Sequence, residues 1–318
     1  MNANVSICIP VYNGEQWLDA CLESACACTV AQEIILCDDG SKDQSVAIAE
    51  LYARKDRRIR VHRNAKNLGL VGNWNRCLEL AKGEWIKFLF QDDRLQPGSV
   101  ERMLEGAGAD VQLIAAKRNF VFTANSSAES KEYYTKKVLT LENVAANVTE
   151  FSAERIASLS AAHIARNFIG EPSTVMFRRS LIAQIGKFDA EFRQICDLEY
   201  WLRIASVYGL RYVPEAEIDF TVHDESVSAQ NAAQRKSGFD AIVLVDRMLH
   251  HADYAALRKH LSRAELRRLL LWLRVQTYEL KHKAPDAAVK FFGTHPHLKL
   301  IAEKFGNGLL YRLARLRR

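Results

Sequence analysis

Short β-branched runs alternate, through the first third of the chain, with stretches whose apolar residues recur every three or four positions. Val5-Ser-Ile-Cys-Ile-Pro-Val11 reads as a strand, and Glu15 to Cys28 sets Trp17, Cys21, Leu22 and Ala25 on one helical face. The same alternation predicts strands at 33–37, 59–62, 85–89 and 111–116, with helices at 45–53, 71–81 and from Pro97-Gly98 through Leu104. Strands separated by helices of this length imply βαβ units, right-handed crossovers and a mostly parallel central sheet flanked by helices. In such open sheets a ligand sits beyond the carboxyl ends of the strands. Three polar loops fall there: Pro10-Val-Tyr-Asn-Gly14, Asp38-Asp-Gly-Ser-Lys-Asp43 and Gln91-Asp-Asp-Arg94.

Further along, the pattern is less regular. Residues 118–150 read as a mobile excursion, with strand-like Phe120-Val-Phe122 and Tyr133-Tyr134 around a polar linker at 124–131. Ser152 is placed to cap a helix reaching about Asn167, Ser173 to Phe177 reads as a strand, and Asp197 to Tyr208 as a helix. Glu217 to His223 alternates as a half-buried strand. From Ser237 the chain is helical and basic, with breaks at Pro285 and Pro296.

Composition narrows the class. With 318 residues, 48% hydrophobic and 26% charged, the chain can bury a full core and is neither disordered nor fibrous. No apolar run approaches the roughly 18 to 20 residues of a membrane span, and the first residues lack the features of a signal peptide. The seven cysteines (8, 21, 26, 28, 37, 77 and 196) are odd in number and sit on strand or helix patterns, which suggests reduced thiols and a cytoplasmic protein. Cys26-Ala-Cys28 has no second pair or histidine at zinc spacing.

Charge divides the chain. Residues 231–318 hold 18 Lys and Arg against 7 Asp and Glu, whereas residues 1–230 are net acidic. We therefore separate a domain at 1–230 from a basic helical extension at 231–318, whose surplus suits an anionic partner such as a membrane surface, a lipid phosphate or another protein. Leu309, Leu313 and Leu316 share a face near Arg312, Arg315, Arg317 and Arg318. That pattern fits an interfacial helix at the inner face of the cell membrane, or equally a helical cap on the body. No nucleic-acid partner is expected.

Asp92 and Asp93, adjacent after a buried strand, require a compensating cation or donor, and Mg²⁺ or Mn²⁺ shared with a nucleotide diphosphate is an economical one. Capping of the helix near Pro97 is the plainer alternative.

Several segments together resemble glycosyltransferase family 2, whose nucleotide-diphospho-sugar enzymes have the GT-A fold. They are Val5 to Asn13, Glu33 to Ser41, Asn67-Leu-Gly69 with Asn73 and Asn75, and Gly83 to Asp93. The series continues with Gly170-Glu-Pro-Ser173, Gly186-Lys-Phe-Asp189, Asp197 to Arg203 and Phe220-Thr-Val-His223, so the resemblance covers about residues 4–228. It implies a base-binding wall at Pro10, Val11, Tyr12 and Asn13, with Asp38 and Asp39 at base and ribose, one of the two instead bracing the Gly40 turn. Asn67, Gly69 and Asn73 would support the nucleotide or cap their own helix. Asp92 would lie beside the nucleotide and Asp93 on the metal, although Phe90 stands where the commoner pattern has its first acid. His223 would approach the diphosphate or metal, or serve structurally. Gly170, Glu171 and Pro172 would wall the acceptor, and Asp197 would be the catalytic base, with Glu199 in reserve and Trp201 and Arg203 as packing and salt-bridge residues.

The resemblance thus implies an inverting, metal-dependent enzyme, aided by Mn²⁺ or Mg²⁺. It would move a sugar from a nucleotide-diphospho-sugar, a UDP-sugar foremost, to a glycan or lipid-linked acceptor in bacterial surface polysaccharide assembly. A catalytically silent nucleotide-sugar or glycan-binding scaffold is the alternative. A dinucleotide-dependent dehydrogenase is disfavoured because Pro10-Val-Tyr-Asn-Gly14 replaces the Gly-rich turn after the first strand.

Overall fold

The computed structural model describes residues 4–226 and 237–304. Strand β1 (Val5–Val11) is buried along its whole length, because apolar clusters cover both of its faces. Val5, Ile7, Ile9 and Val11 join α1 (Leu18–Ala27), α2 (Ser45–Lys55) and α4 (Ser99–Leu104) on one side. Cys8 faces the other side, against α3 (Gly69–Leu80), α7 (Ala153–Ala162) and α9 (Cys196–Tyr208). A strand enclosed in this way has no polar face, which is why its sequence reads as a continuous apolar run.

Next to β1 lie β2 (Ala31–Asp38) and β4 (Trp85–Phe88), and β3 (Ile59–Arg63) flanks β2, all four strands parallel. The sheet order is β3-β2-β1-β4-β8-β6-β9-β5, with β7 (Glu150–Phe151) also paired to β9. Strand β8 (Val175–Arg178) runs antiparallel between β4 and β6 (Leu113–Phe122), while β9 (Leu210–Val222) is parallel to β6. The short β5 (Arg94–Leu95) and β7 oppose β9. Thus β1 to β4, β6 and β9 share one direction, and helices cover both faces of a mostly parallel sheet.

Residues 118–150 are more ordered than their sequence suggests. Strand β6 continues to Phe122, opposite Val222, and residues Ala128–Lys136 form α5 rather than a linker with a strand-like Tyr133-Tyr134. This helix buries none of its residues fully, so its sequence carries no apolar stripe. Ser127 caps it by accepting from the Ser130 N–H, the Ser130 hydroxyl donates to Asp224 at 2.7 Å, and the Tyr134 ring lies between Phe120 and Phe220. A capping box of Thr140 and Asn143 then starts α6 (Leu141–Val144).

Beyond Ser237 the chain forms α10 (Ser237–His250), α11 (Ala255–His260), α12 (Arg263–Lys283), α13 (Pro285–Thr294) and α14 (Pro296–Lys304). The two prolines start helices instead of merely ending them, since the first helical position needs no N–H donor. Leu244, Leu257, Leu269 and Leu273 from these helices belong to the same apolar cluster as α7 and α9. The extension up to Lys304 is therefore packed on the body, whereas Leu309, Leu313 and Leu316 lie outside the described residues. No described helix is long and apolar enough to cross a membrane.

A buried ion pair within α9 is tied to the extension by a tyrosine hydroxyl. Glu199 accepts from Arg203 Nε at 2.7 Å and Nη2 at 2.9 Å, and also from the Tyr254 hydroxyl at 3.0 Å. Glu199 is 1% exposed, so it is a structural anion facing the extension and not a reserve base. Arg203 is the salt-bridge residue expected of it. Removing one member of a buried pair strands the other, so Glu199→Ala is expected to lower the unfolding free energy by about 3 to 5 kcal/mol in urea denaturation.

Candidate active site

The carboxyl ends of β1, β2 and β4 open into a cleft of about 400 Å³. Its walls include Pro10, Val11 and Tyr12 from β1 and its loop, Asp39 and Asn67 from the loops after β2 and β3, Gly69 and Asn73 from the start of α3, and Asp92 after β4. Glu171, Pro172 and Asp197 close the opposite side. Residues distant in the chain thus meet in one cavity, where the strand order places them. A second cleft, of about 360 Å³, lies between α1, β5 and α4 and contains none of the expected site residues.

The paired acids after β2 divide their work. Asp38 is fully buried and accepts from the backbone N–H groups of Gly40 and Ser41, the former at 3.1 Å, so it braces the Gly40 turn away from the cleft. Asp39 lines the cleft. Its Oδ1 accepts from Asn64 Nδ2 and the Leu68 N–H, and its Oδ2 from the Gly69 N–H, at 2.8 to 2.9 Å. Two lone pairs of Oδ1 and one of Oδ2 are then used, which leaves one on Oδ2 without a donor among these contacts. Asn73 supports the same loop, accepting from Asn64 and donating to the Cys37 carbonyl, both at 2.9 Å.

Tyr12 is 48% exposed at the cleft rim. Gln91 holds its backbone, accepting from the Tyr12 N–H at 2.9 Å and donating to its carbonyl. A Cβ at Gly14 would stand 2.4 Å from Gln91 Oε1, so this clamp needs glycine there. Asn13 lies outside the cleft lining. At a φ of 49° it accepts from the Lys42 N–H through Oδ1, joining the β1 and β2 loops.

Asp92 and Asp93 differ in exposure. Asp92 reaches the cleft and lies 3.0 Å from His223 Nε2, whose ring tilts over Trp17 with centroids 4.8 Å apart. Asp93 lies just beneath, 1% exposed, with Oδ1 accepting from the Thr221 N–H at 3.0 Å. Burial and the neighbouring Asp92 charge push its pKa well up. Asp93 Oδ2 and His223 Nδ1 are buried with no hydrogen-bond partner. Unmet acceptors of this kind are what a hard cation satisfies, and Asp92 and Asp93 supply oxygens of the type a divalent ion takes when phosphate oxygens or water complete its shell. Among the described residues, no group of three or more His, Cys, Asp or Glu side chains is placed to hold a metal ion.

Two cations near these acids were not singled out from the sequence. Lys87 is fully buried and donates to the carbonyls of Phe88 and Ser173. Burial lowers its pKa to about 7, while the charge of Asp93 acts in the opposite direction. A lysine within an apolar strand was the available signal. Arg118, also buried, pairs with Glu171 at 3.1 Å and donates to the Leu139 carbonyl, but nothing in its local sequence marks it.

Asp197 stands in the first turn of α9, accepting from the Leu198 N–H at 2.7 Å and from Asn167 Nδ2 at 2.8 Å. Burial, and next the charge of Glu171, raise its pKa to about 7, against a smaller lowering by the Leu198 N–H. A carboxylate with this affinity accepts a proton near neutral pH far better than an exposed aspartate. Gly170 lies just behind the wall; its carbonyl accepts from Trp201 Nε1 and Asn167 Nδ2, both at 3.0 Å.

The family model for Glycosyl transferase family 2 matches residues 6–160. A relative from Mycobacterium tuberculosis (strain CDC 1551), the uncharacterized protein MT1568, is 30% identical over 72% of this chain and 68% of its own length. The chain belongs to glycosyl transferase family 2. It is accordingly a glycosyltransferase. The chondroitin synthase of Escherichia coli is 25% identical over 75% of the chain, which spans only 32% of that larger protein. Among solved structures, Staphylococcus aureus TarS 1–349 in complex with UDP-GlcNAc superposes with a TM-score of 0.57 at 16% identity, covering 96% of this chain and 92% of that one. At that identity the likeness is one of fold, and at 96% coverage it reaches into the helical extension. The GT-A architecture expected of a family 2 glycosyltransferase is therefore present.

Gly170 has a φ of 145°, and a Cβ there would stand 2.2 Å from Thr174 Oγ1. Gly170→Ala is expected to reduce stability by about 1 to 3 kcal/mol in urea denaturation and to perturb Trp201 fluorescence, because the carbonyl that holds the indole must move.

Proposed function

We propose that the cleft binds a nucleotide-diphospho-sugar, foremost a UDP-sugar, and transfers its sugar with inversion to a hydroxyl of a glycan or lipid-linked acceptor. The observation that carries this reading is the convergence in one cavity of the Tyr12 wall, Asp39, Asp92 and a proton-accepting Asp197, with Asp93 buried next to Asp92. Tyr12 offers a face on which a pyrimidine stacks, and the open lone pair of Asp39 accepts from the base or ribose. Asp92 and Asp93, with His223, would hold Mn²⁺ or Mg²⁺, which when bound neutralises charge on the departing diphosphate. Asp197 takes the proton of the acceptor hydroxyl as its oxygen bonds to the anomeric carbon and the bond to phosphate breaks. A single displacement of this type inverts the anomeric centre.

In this reading residues 1–230 are the catalytic domain and 231–318 a helical extension. Its basic surplus suits a cytoplasmic enzyme working against an anionic membrane face, and bacterial surface polysaccharide or lipid-linked glycan assembly is the process. The complex of the structurally similar TarS with UDP-GlcNAc supports a nucleotide-sugar donor.

A thermal-shift panel of UDP-, dTDP- and GDP-sugars with and without Mn²⁺ tests the donor site directly. Stabilisation by one nucleotide class, dependent on Mn²⁺ and lost in Asp93→Ala, is the expected outcome; no stabilisation under any condition would defeat the proposal. Asp197→Asn is expected to lower turnover of the selected donor by roughly 10²- to 10⁴-fold while nucleotide binding persists.

The pH dependence follows from the raised Asp197 pKa. Transfer rises as pH increases through about 7, where the base ionises, instead of being flat down to pH 5. Stability has the opposite dependence, because a native pKa above the unfolded one means that the folded chain loses stability as pH rises towards 7. The stability of Asp197→Asn relative to the parent should therefore increase from pH 5 to 7 and level off above, which chemical denaturation at stepped pH would measure.

A further inference from the structure

The segment 189–195 enters α9 and carries Arg193 and Gln194 into the cleft wall, yet what fixes it comes from the extension. Asp240 on α10 is 5% exposed, and a single oxygen, Oδ2, accepts from the backbone N–H groups of Arg193 at 2.8 Å, Gln194 at 2.6 Å and Ile195 at 3.3 Å. The residue preceding the helix, Ile195, has no side chain able to cap it. A carboxylate supplied by another element thus gathers the free donors at the entry to α9, where the helix dipole also favours negative charge. Asp197 lies two residues beyond this anchor.

A second contact secures the same segment. Arg247, also on α10, pairs with Asp189 and Glu191, its guanidinium lies 5.1 Å from the Phe192 ring, and His295, between α13 and α14, meets Glu191 at 2.7 Å. The path from Asp189 to Ile195 is therefore fastened along its length by helices outside the domain that carries the chemistry.

We propose that Asp240 is a positioning residue for glycosyl transfer: by holding the N–H groups of residues 193–195 it sets where the cleft wall and Asp197 stand, which makes the extension part of the active site. This rests on the reading of Asp197 as the base. The carboxylate acts through backbone it touches and makes no contact with a reacting atom. Truncating it frees three donors at once, and the start of α9 can then shift within the cleft while the strand ends that form the donor site stay in place. Small displacements of a base cost large factors in rate.

The test uses the full chain, Asp240→Ala and Asp240→Asn, the last retaining one oxygen aimed at the N–H groups. Hydrogen–deuterium exchange of the 190–200 region, which needs no substrate, reads the anchor itself. Exchange there should quicken at least tenfold in Asp240→Ala with β1 to β4 unchanged, and Asp240→Asn should restore much of the protection. With the nucleotide sugar selected by the thermal-shift panel, donor hydrolysis is then followed against pH. Asp240→Ala should lower kcat at least tenfold, change the donor KM by less than about twofold and displace the acid limb near pH 7, with substantial rescue in Asp240→Asn. Unchanged exchange and kcat would overturn the proposal, as would parallel loss of kcat, donor affinity and thermal stability with no rescue, which marks a merely structural role. If the parent turns over no nucleotide sugar, the functional reading fails, while the exchange experiment still reports whether Asp240 holds the segment.

Discussion

The site depends on keeping carboxylates out of water without leaving them unpaired. Asp38, Asp39, Asp93 and Asp197 are all buried, and a buried carboxylate persists only where donors or cations replace its hydration. Backbone N–H groups do this for Asp38 and most of Asp39, and Arg118 does it for Glu171. Of these four aspartates, only Asp93 keeps an oxygen with no hydrogen-bond partner among the described residues. The parallel strands supply the geometry, since their ends bring loops with free N–H groups into one place. The same burial that makes these acids costly raises the proton affinity of Asp197, so architecture and reactivity have a common origin.

Much of this was legible in the sequence, for a physical reason. Strands β1, β2 and β4 are buried on both faces, and their apolar runs ending in polar loops mark both the sheet and its ligand-binding edge. The family resemblance then gathered Asp39, Asp92 and Asp197, which the folded chain places around one cleft. What escaped detection depends on long-range contacts. Nothing local shows that β8 inserts between β4 and β6, since hydrophobic periodicity reports an element and not its neighbour. Helix α5 was missed because it is fixed by Asp224 and by aromatic rings from distant strands, without an apolar stripe of its own. Glu199 shares the acidic start of α9 with Asp197 but points the other way, into Arg203 and Tyr254, a distinction set by helix rotation against the extension.

The extension is also where charge and packing had to be read separately. Its basic surplus suggested an appendage directed at an outside partner, yet Leu244, Leu257 and Leu269 join the core that supports α9. Polar contacts from α10 and from Tyr254, just before α11, reach α9 at Glu199 and the segment 189–195 that leads into it. A basic exterior and an apolar, tightly paired interior coexist on the same helices.

Asp39 carries a further implication for how such an enzyme changes over time. It is a wall of the cleft and also the fastener for the turn at Leu68 and Gly69. Retuning ligand choice by replacing it would untie that turn, so drift in selectivity is channelled to neighbours with fewer duties, such as Tyr12 at the rim.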